Sequence, residues 1–344
     1  MTKRKYPHAD YRGEQITRRE VLKRGLAFGS ISATGLYLAY APEDYPLSLR
    51  DETGLRSRPV EQPFQLPDFR VTPVTDAVHV GIGRGGTPRE MLLKALDAIG
   101  GLAHFVQPGD IVLIKPNVAF DRSPNLGATT NPAIIDVLVR LLLVDARASE
   151  VRIADNPIES PADCFAKSGI GAAAEAAGGS VYLPDSNAFE PLYTPGAKLI
   201  EQWAFFKRPF RNVNKVIGIA PAKDHNLCHA SLGIKNWYGL LGGRRNQFHQ
   251  DIHEIVSDLS IMIRPTLTIV DGTRVLMENG PTGGDPSNVR DGNAILAGID
   301  PVAMDAWAYE HLLQRPGRLP EYLYMAEQKG SGKVNYQGRI KEIT

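Results

Sequence analysis

Two cysteines in 344 residues, Cys164 and Cys228, are too few for an iron–sulfur cluster of the usual four-thiolate kind, and none is expected. Two unlinked thiols is the simpler reading of the pair, although an oxidising compartment would also allow a bridge. An excess of charge of one sign is missing too. Lys and Arg number 39 against 38 Asp and Glu, a net charge of +1, so nothing in the composition argues for a nucleic-acid partner. A His-Glu-x-x-His zinc motif is also absent.

What is present begins at Thr17-Arg18-Arg19-Glu20-Val21-Leu22-Lys23, which leads into an uncharged stretch from Gly25 to Ala41. A basic region, a weakly apolar region and then small residues make up an export signal. Gly29, Ser30, Ser32, Thr34 and Gly35 dilute the hydrophobicity of the stretch, and the paired arginines point to the twin-arginine route. The protein is therefore expected in the periplasm or on the outer face of the cytoplasmic membrane, with the twin-arginine export machinery as a partner. Ala39-Tyr40-Ala41 has the small-x-small form of a cleavage site, but Pro42 follows directly. A spanning helix needs about 17 to 25 residues, so cleavage and retention as a membrane anchor both stay open.

Residues 42–73 carry Pro42, Pro46, Pro59, Pro63, Pro67 and Pro73 among charges, with neither a helical nor a strand period. They read as an extended arm or tether. From residue 74 to 344 the chain is long enough for one large domain. Short apolar runs alternate there with amphipathic ones. Ile111–Ile114, Val151–Ala154, Ser180–Leu183, Val216–Ile219, Thr268–Val270 and Ala294–Ala297 read as strands. Helical patterns open at Asn131-Pro132, cover about 163–177 and 250–263, and carry Ala303, Ala306, Trp307 and Leu312. This is an α/β pattern with a mainly parallel sheet and helices on both faces, preceded by the signal segment and the arm.

In such sheets a ligand lies beyond the carboxyl ends of the strands. Those ends carry Lys115 and Asn117, Asp155 and Asn156, Lys223 and His225, Asp271, and Asp300. So many cations, histidines and carboxylates at one presumed edge mark it as the site. Gly81-x-Gly83-x-x-Gly86 matches a dinucleotide loop by spacing, but weakly, because no acidic residue clearly ends the next strand.

Pro221-x-Lys223-x-His225, Lys235-Asn236-x-x-Gly239, Arg245-x-x-x-His249, Asp271-Gly272, Gly280-Pro281-x-x-Gly284 and Asp300-Pro301-Val302-Ala303-x-Asp305 occur in order, with Lys115-Pro116-Asn117 upstream. Over roughly residues 78 to 313 this set resembles the family named domain of unknown function 362. The resemblance implies an α/β domain, often linked with iron–sulfur or redox-associated proteins. Many relatives carry a ferredoxin-like cysteine cluster, which this chain lacks.

His225 and His229 are four residues apart, as are His249 and His253, the spacing that puts two imidazoles on one helical face. His225, His249, Asp271 and Asp305 are the expected ligands of a divalent metal (zinc, iron or manganese), with Asp224, Glu278 and Asp300 as further candidates. His225, His249 and Lys223 are the candidate catalytic residues. Lys115, Asn117, Lys235, Asn236 and Arg245 are the candidate binding residues for an anionic small molecule, beside the glycines Gly239, Gly242 and Gly243. The expectation is thus an exported enzyme or redox-maturation factor of unknown reaction. The alternative is a non-catalytic binding or assembly protein that serves a membrane redox complex.

Overall fold

A computed structural model describes residues 63–75 and 77–344. The export signal, the anchor question and most of the arm lie outside the described residues. The last part of the arm is extended and lies on the domain: Phe64 N–H donates to the Pro191 carbonyl and Phe69 N–H to that of Arg264.

Strands β1 (Val80–Arg84), β2 (Ile111–Lys115), β3 (Glu150–Ala154) and β4 (Ser180–Tyr182) alternate with helices α1 (Pro88–Ala98), α2 (Leu102–Phe105), α3 (Pro132–Arg140), α4 (Pro161–Lys167) and α5 (Ile170–Ala176). A separate hairpin, β5 (Phe189–Tyr193) with β6 (Gln202–Phe206), precedes the long β7 (Lys215–His225), the short β8 (His229–Ser231) and α6 (Gly233–Asn236). Then come α7 (Ile252–Met262), β9 (Leu267–Leu276), β10 (Val289–Arg290), β11 (Ala294–Gly298), α8 (Pro301–His311), α9 (Glu321–Gln328) and β12 (Ile340–Ile343). Asn131 caps α3 by accepting from Ala133 N–H, and Pro132 fills the first helical position, where a missing N–H costs nothing.

The main sheet runs β12-β1-β11-β9-β7-β2-β3-β4. From β9 to β4 every neighbouring pair is parallel, whereas β11 is antiparallel to both β9 and β1. Side chains alternate faces along each strand. Leu113, Val216, Val270 and Leu296 join one core, with Val256 and Leu259 of α7, Val302 of α8 and Leu323 of α9. Their neighbours Ile114, Ile217, Ile269 and Ile295 join the other, with Leu92 of α1, Leu138 of α3 and Phe165 of α4. Helices therefore cover both faces, which is why the strands are continuous apolar runs.

One sequence expectation changes, and two alternatives left open by the sequence are decided. The helix expected over 163–177 is two helices, broken at Gly169, whose φ of +72° suits a residue without a Cβ. Gly81 and Gly83 are inside β1 rather than in a phosphate loop. A Cβ at Gly81 would sit 2.0 Å from the Ala95 carbonyl oxygen and one at Gly83 1.9 Å from that of Met91, so these glycines let α1 press onto the strand. Cys164 and Cys228 are free, and they are buried in opposite cores.

Candidate functional site

β7 outruns its neighbour β2: residues 215–218 pair with 112–115, and the rest of the strand continues past the carboxyl end of β2. Lys223 and His225, two residues apart, face the same way on that overhang. β2 delivers Lys115 and then Asn117, and β3 delivers Asp155. After the β7–β8 hairpin, α6 supplies Lys235 and Asn236. These side chains line one cavity of about 60 Å³ together with Phe120, Asn156, Ile158, Ser231, Tyr238, Gly239, Arg245, His249 and Pro281. At about 10–15 Å³ for one water, that volume suits a group of a few heavy atoms.

The floor is a closed polar network. Lys115 Nζ lies 2.8 Å from Asp155 Oδ1 and donates to Asn236 Oδ1 at 2.8 Å. Asp155 Oδ2 accepts from Val118 N–H. Asn236 Oδ1 also accepts from Asn117 Nδ2, while Asn236 Nδ2 donates to the Lys115 and Ile219 carbonyls. Lys223 Nζ donates to Asn117 Oδ1 at 3.1 Å and to the Ala128 carbonyl at 2.6 Å. A Cβ on Gly239 would lie 2.0 Å from Asp155 Oδ1 and 2.7 Å from Lys115 Nζ, so only glycine admits the pair this close to the backbone.

Positive charge is in excess. Lys115, Lys223, Lys235 and Arg245 line the cavity with one carboxylate, Asp155, which pairs with Lys115. Lys235 is buried, and among the described residues its Nζ has neither a carboxylate nor a hydrogen-bond acceptor; it lies 5.0 Å from the Tyr238 ring centre. Burial, reinforced by Arg245, lowers its affinity for a proton. Burial and the charges of Lys235 and Lys115 bring Lys223 down to about 7.

Each histidine has a defined free nitrogen. His225 Nδ1 accepts from the backbone N–H groups of Leu227 and Cys228, so the neutral ring carries its proton on Nε2. Burial, then Lys235 and Lys223, push this imidazole down to about 2. His249 Nδ1 faces the Asn246 carbonyl at 2.9 Å and must donate, which leaves Nε2 as its other position.

The expected metal-ligand set does not assemble. His225 uses its Nδ1 lone pair on backbone and keeps Nε2 protonated. Asp271 accepts from Asn131 N–H, Thr273 N–H and the Thr273 hydroxyl, inside a strand that runs on to Leu276. Asp305 accepts from Gly233 and Ile234 N–H and so anchors α6 from behind. Neither carboxylate lines the cavity. Among the described residues no three His, Cys, Asp or Glu side chains are grouped as a metal would require. The helical spacing fails as well. His225 and His229 face each other across a hairpin, and α7 starts only at Ile252, after a 3-10 segment that holds His249. His253 instead lies beside His229 and Tyr322.

Asp224 is paired with Arg315, 2.6 Å away. Asp300 belongs to the opposite edge, because β11 runs antiparallel to β9; there it caps α8 and pairs with Arg339. Arg245 reaches the cavity, but its Nη1 donates to the Tyr238 and Leu241 carbonyls and its Nη2 to those of Asn156 and Pro157. It is mainly a clamp, and only Nε–H remains for a ligand. Sequence reasoning named Asp155 only as a strand end and passed over Tyr238 and Ser231. Tyr238, inside the Lys235–Gly239 motif, was the one with a signal.

A family model described as Domain of unknown function (DUF362) matches residues 112–310. Thylakoid-associated protein sll1697 of Synechocystis sp. (strain ATCC 27184 / PCC 6803 / Kazusa) is 26% identical over 256 residues, covering 70% of this chain and 74% of that protein. Among solved structures, the lactate racemase apoprotein from Thermoanaerobacterium thermosaccharolyticum is similar at 15% identity and a TM-score of 0.36, over 69% of this chain and 56% of its own. A Thermotoga maritima protein follows at 12% identity and a TM-score of 0.29, over 66% and 56%. The chain thus spans just over half the length of these two solved proteins. The family match holds every residue that lines the cavity, and the chain belongs to the DUF362 family, a domain of unknown function.

Proposed function

We propose that this protein binds a small carboxylate- or phosphate-bearing molecule at the carboxyl ends of β2, β3 and β7, as an exported enzyme or maturation factor. The observation that carries this reading is Lys235, a largely buried side chain whose ammonium opens on the cavity with no counter-ion among the described residues, beside three further cations and one carboxylate. Like charges gathered in a largely desolvated cavity are costly, and an anionic ligand offsets that cost. Lys235 and the His225 Nε2–H are the donors left for it, with Lys223 alongside. His249, through Nε2, is the group positioned to take a proton from the ligand. The name of the thylakoid-associated relative supports a place at a membrane surface, as does the sequence of residues 17–41.

Thermal unfolding in the presence of inorganic phosphate and small carboxylates tests the reading. At about 100 times Kd, linkage stabilises the fold by roughly 2.7 kcal/mol. That is about 5 to 10 °C for a domain of this size. Lys235→Met should remove about half of the shift at the same concentration, the effect of a roughly tenfold weaker affinity. A wild-type melting temperature that no such anion raises, up to saturating concentration, would defeat the proposal.

A further inference from the structure

Three lysines share the cavity, and their surroundings differ. Lys115 is paired with the Asp155 carboxylate, which opposes the lowering of its proton affinity by burial. Among the described residues Lys235 has no acceptor to orient it, only the Tyr238 ring 5.0 Å away. Lys223 has two acceptors, Asn117 Oδ1 and the Ala128 carbonyl, and both are neutral. A neutral amine has two N–H groups and one lone pair. These two oxygens occupy both N–H groups and leave the lone pair as the remaining direction, on a side chain that lines the cavity. Phe120, whose ring centre is 5.2 Å from Nζ, supplies an apolar wall. His225, two residues along the same strand, presents Nε2–H from the same face.

We infer that Lys223 is a nucleophile that condenses with the carbonyl group of a small oxo-acid, whose carboxylate is held by Lys235. The inference rests on the anion-binding reading of this cavity. The Lys223 lone pair attacks the carbonyl carbon. A C–N bond forms as the C=O π pair moves onto oxygen, which accepts a hydrogen bond from His225 Nε2–H. That oxygen takes one proton from the attacking nitrogen through solvent, then a second, and leaves as water while the C=N bond forms. One amine and one carbonyl give one imine and one water, and no oxidant or reductant is needed. The low proton affinity of Lys223 keeps a fraction of it as free amine at neutral pH, whereas an exposed lysine of ordinary pKa near 10.4 is almost wholly protonated. Glyoxylate and pyruvate are of a size for a cavity of about 60 Å³.

The experiment is reductive trapping. Full-length protein at pH 7 is mixed with glyoxylate or pyruvate, reduced with borohydride, and analysed by intact mass and peptide mapping. The expected result is about one adduct per chain, on the peptide that holds Lys223, and suppressed by inorganic phosphate. Lys223→Arg should lose the adduct while keeping its circular dichroism spectrum. Lys235→Met should keep it but need about tenfold more oxo-acid, as one charge-assisted contact is lost. Mapping of the wild type decides the matter even if Lys223→Arg fails to fold. Adducts scattered over surface lysines, or concentrated on Lys235, overturn the inference. Phosphate stabilisation without any Lys223 adduct overturns the imine alone; if phosphate stabilisation is also missing, the anion site falls with it.

Discussion

Lys115 Nζ and Asp155 Oδ1 lie 2.8 Å apart, each side chain 1% exposed, at the carboxyl ends of adjacent parallel strands. A buried pair of this kind adds little net stability over a well-packed apolar pair, but losing one partner leaves a bare charge. Asp155→Ala is therefore expected to cost roughly 3–5 kcal/mol in urea unfolding. Lys115→Met combined with Asp155→Leu should recover most of that loss and keep the anion response, whose donors are Lys235, His225 and Lys223. A single Asp155→Ala that unfolds at the wild-type midpoint would show that the pair is not formed.

Gly239 gives a second test of the same pair. An alanine methyl there would collide with Asp155 Oδ1 and Lys115 Nζ, neither of which can retreat without losing its buried partners. Gly239→Ala is expected to destabilise by about 1–3 kcal/mol and to weaken the phosphate-induced melting shift. An unchanged shift in a stably folded Gly239→Ala protein would contradict the geometry.

Lys223 gives the fold a pH dependence of defined sign. Its ordinary value of 10.5 falls to about 7 in the folded state, first through burial and then through Lys235 and Lys115, with Asp155 opposing. Between those values the unfolded chain binds more protons than the folded one, so stability rises with pH. The contribution is complete above 10.5 and is lost as pH falls to about 7. Asp305 is raised from 3.8 to about 7, so it acts in the opposite sense and below this window. Urea midpoints measured from pH 7 to 10 should climb more steeply in the wild type than in Lys223→Met, where Lys235 and Lys115, also lowered by burial, keep a residual slope. Parallel curves would reject the assignment.

Export is tested independently of the cavity. Arg18→Lys with Arg19→Lys should strand the precursor in the cytoplasm, because the planar guanidinium pair, not bare charge, is read by the transporter. Cell fractionation that finds the double variant outside the cytoplasm at wild-type level would remove the export proposal.

Much of the site was legible because α/β topology brings strand carboxyl ends to one edge, whatever their separation in sequence. Lys115, Asn117, Lys223 and His225 line one cavity for that reason, and the helical segments that follow β7 and β8 add Lys235, Asn236, Arg245 and His249. Asp300 misled because strand direction is not written in an apolar run: β11 runs the other way and carries its end to the far edge. Asp271 and Asp305 misled because a carboxylate that serves backbone N–H groups has the same letters as one that holds a ligand. The four-residue histidine spacing fits a tight hairpin as well as a helix, and only the pairing of His225 with His229 separates the two.

The Arg245 clamp has a kinetic consequence. Its guanidinium ties the carbonyls of Tyr238 and Leu241 to those of Asn156 and Pro157, joining the two segments that frame the cavity. The ordering of those segments is thus completed during folding, before any ligand arrives. Association should then be a single-step encounter whose rate follows ionic strength and shows no saturating conformational phase. Once the guanidinium is replaced by the shorter reach of lysine, the loops would have to be gathered at each binding event, and the cost would appear as a slower approach to equilibrium.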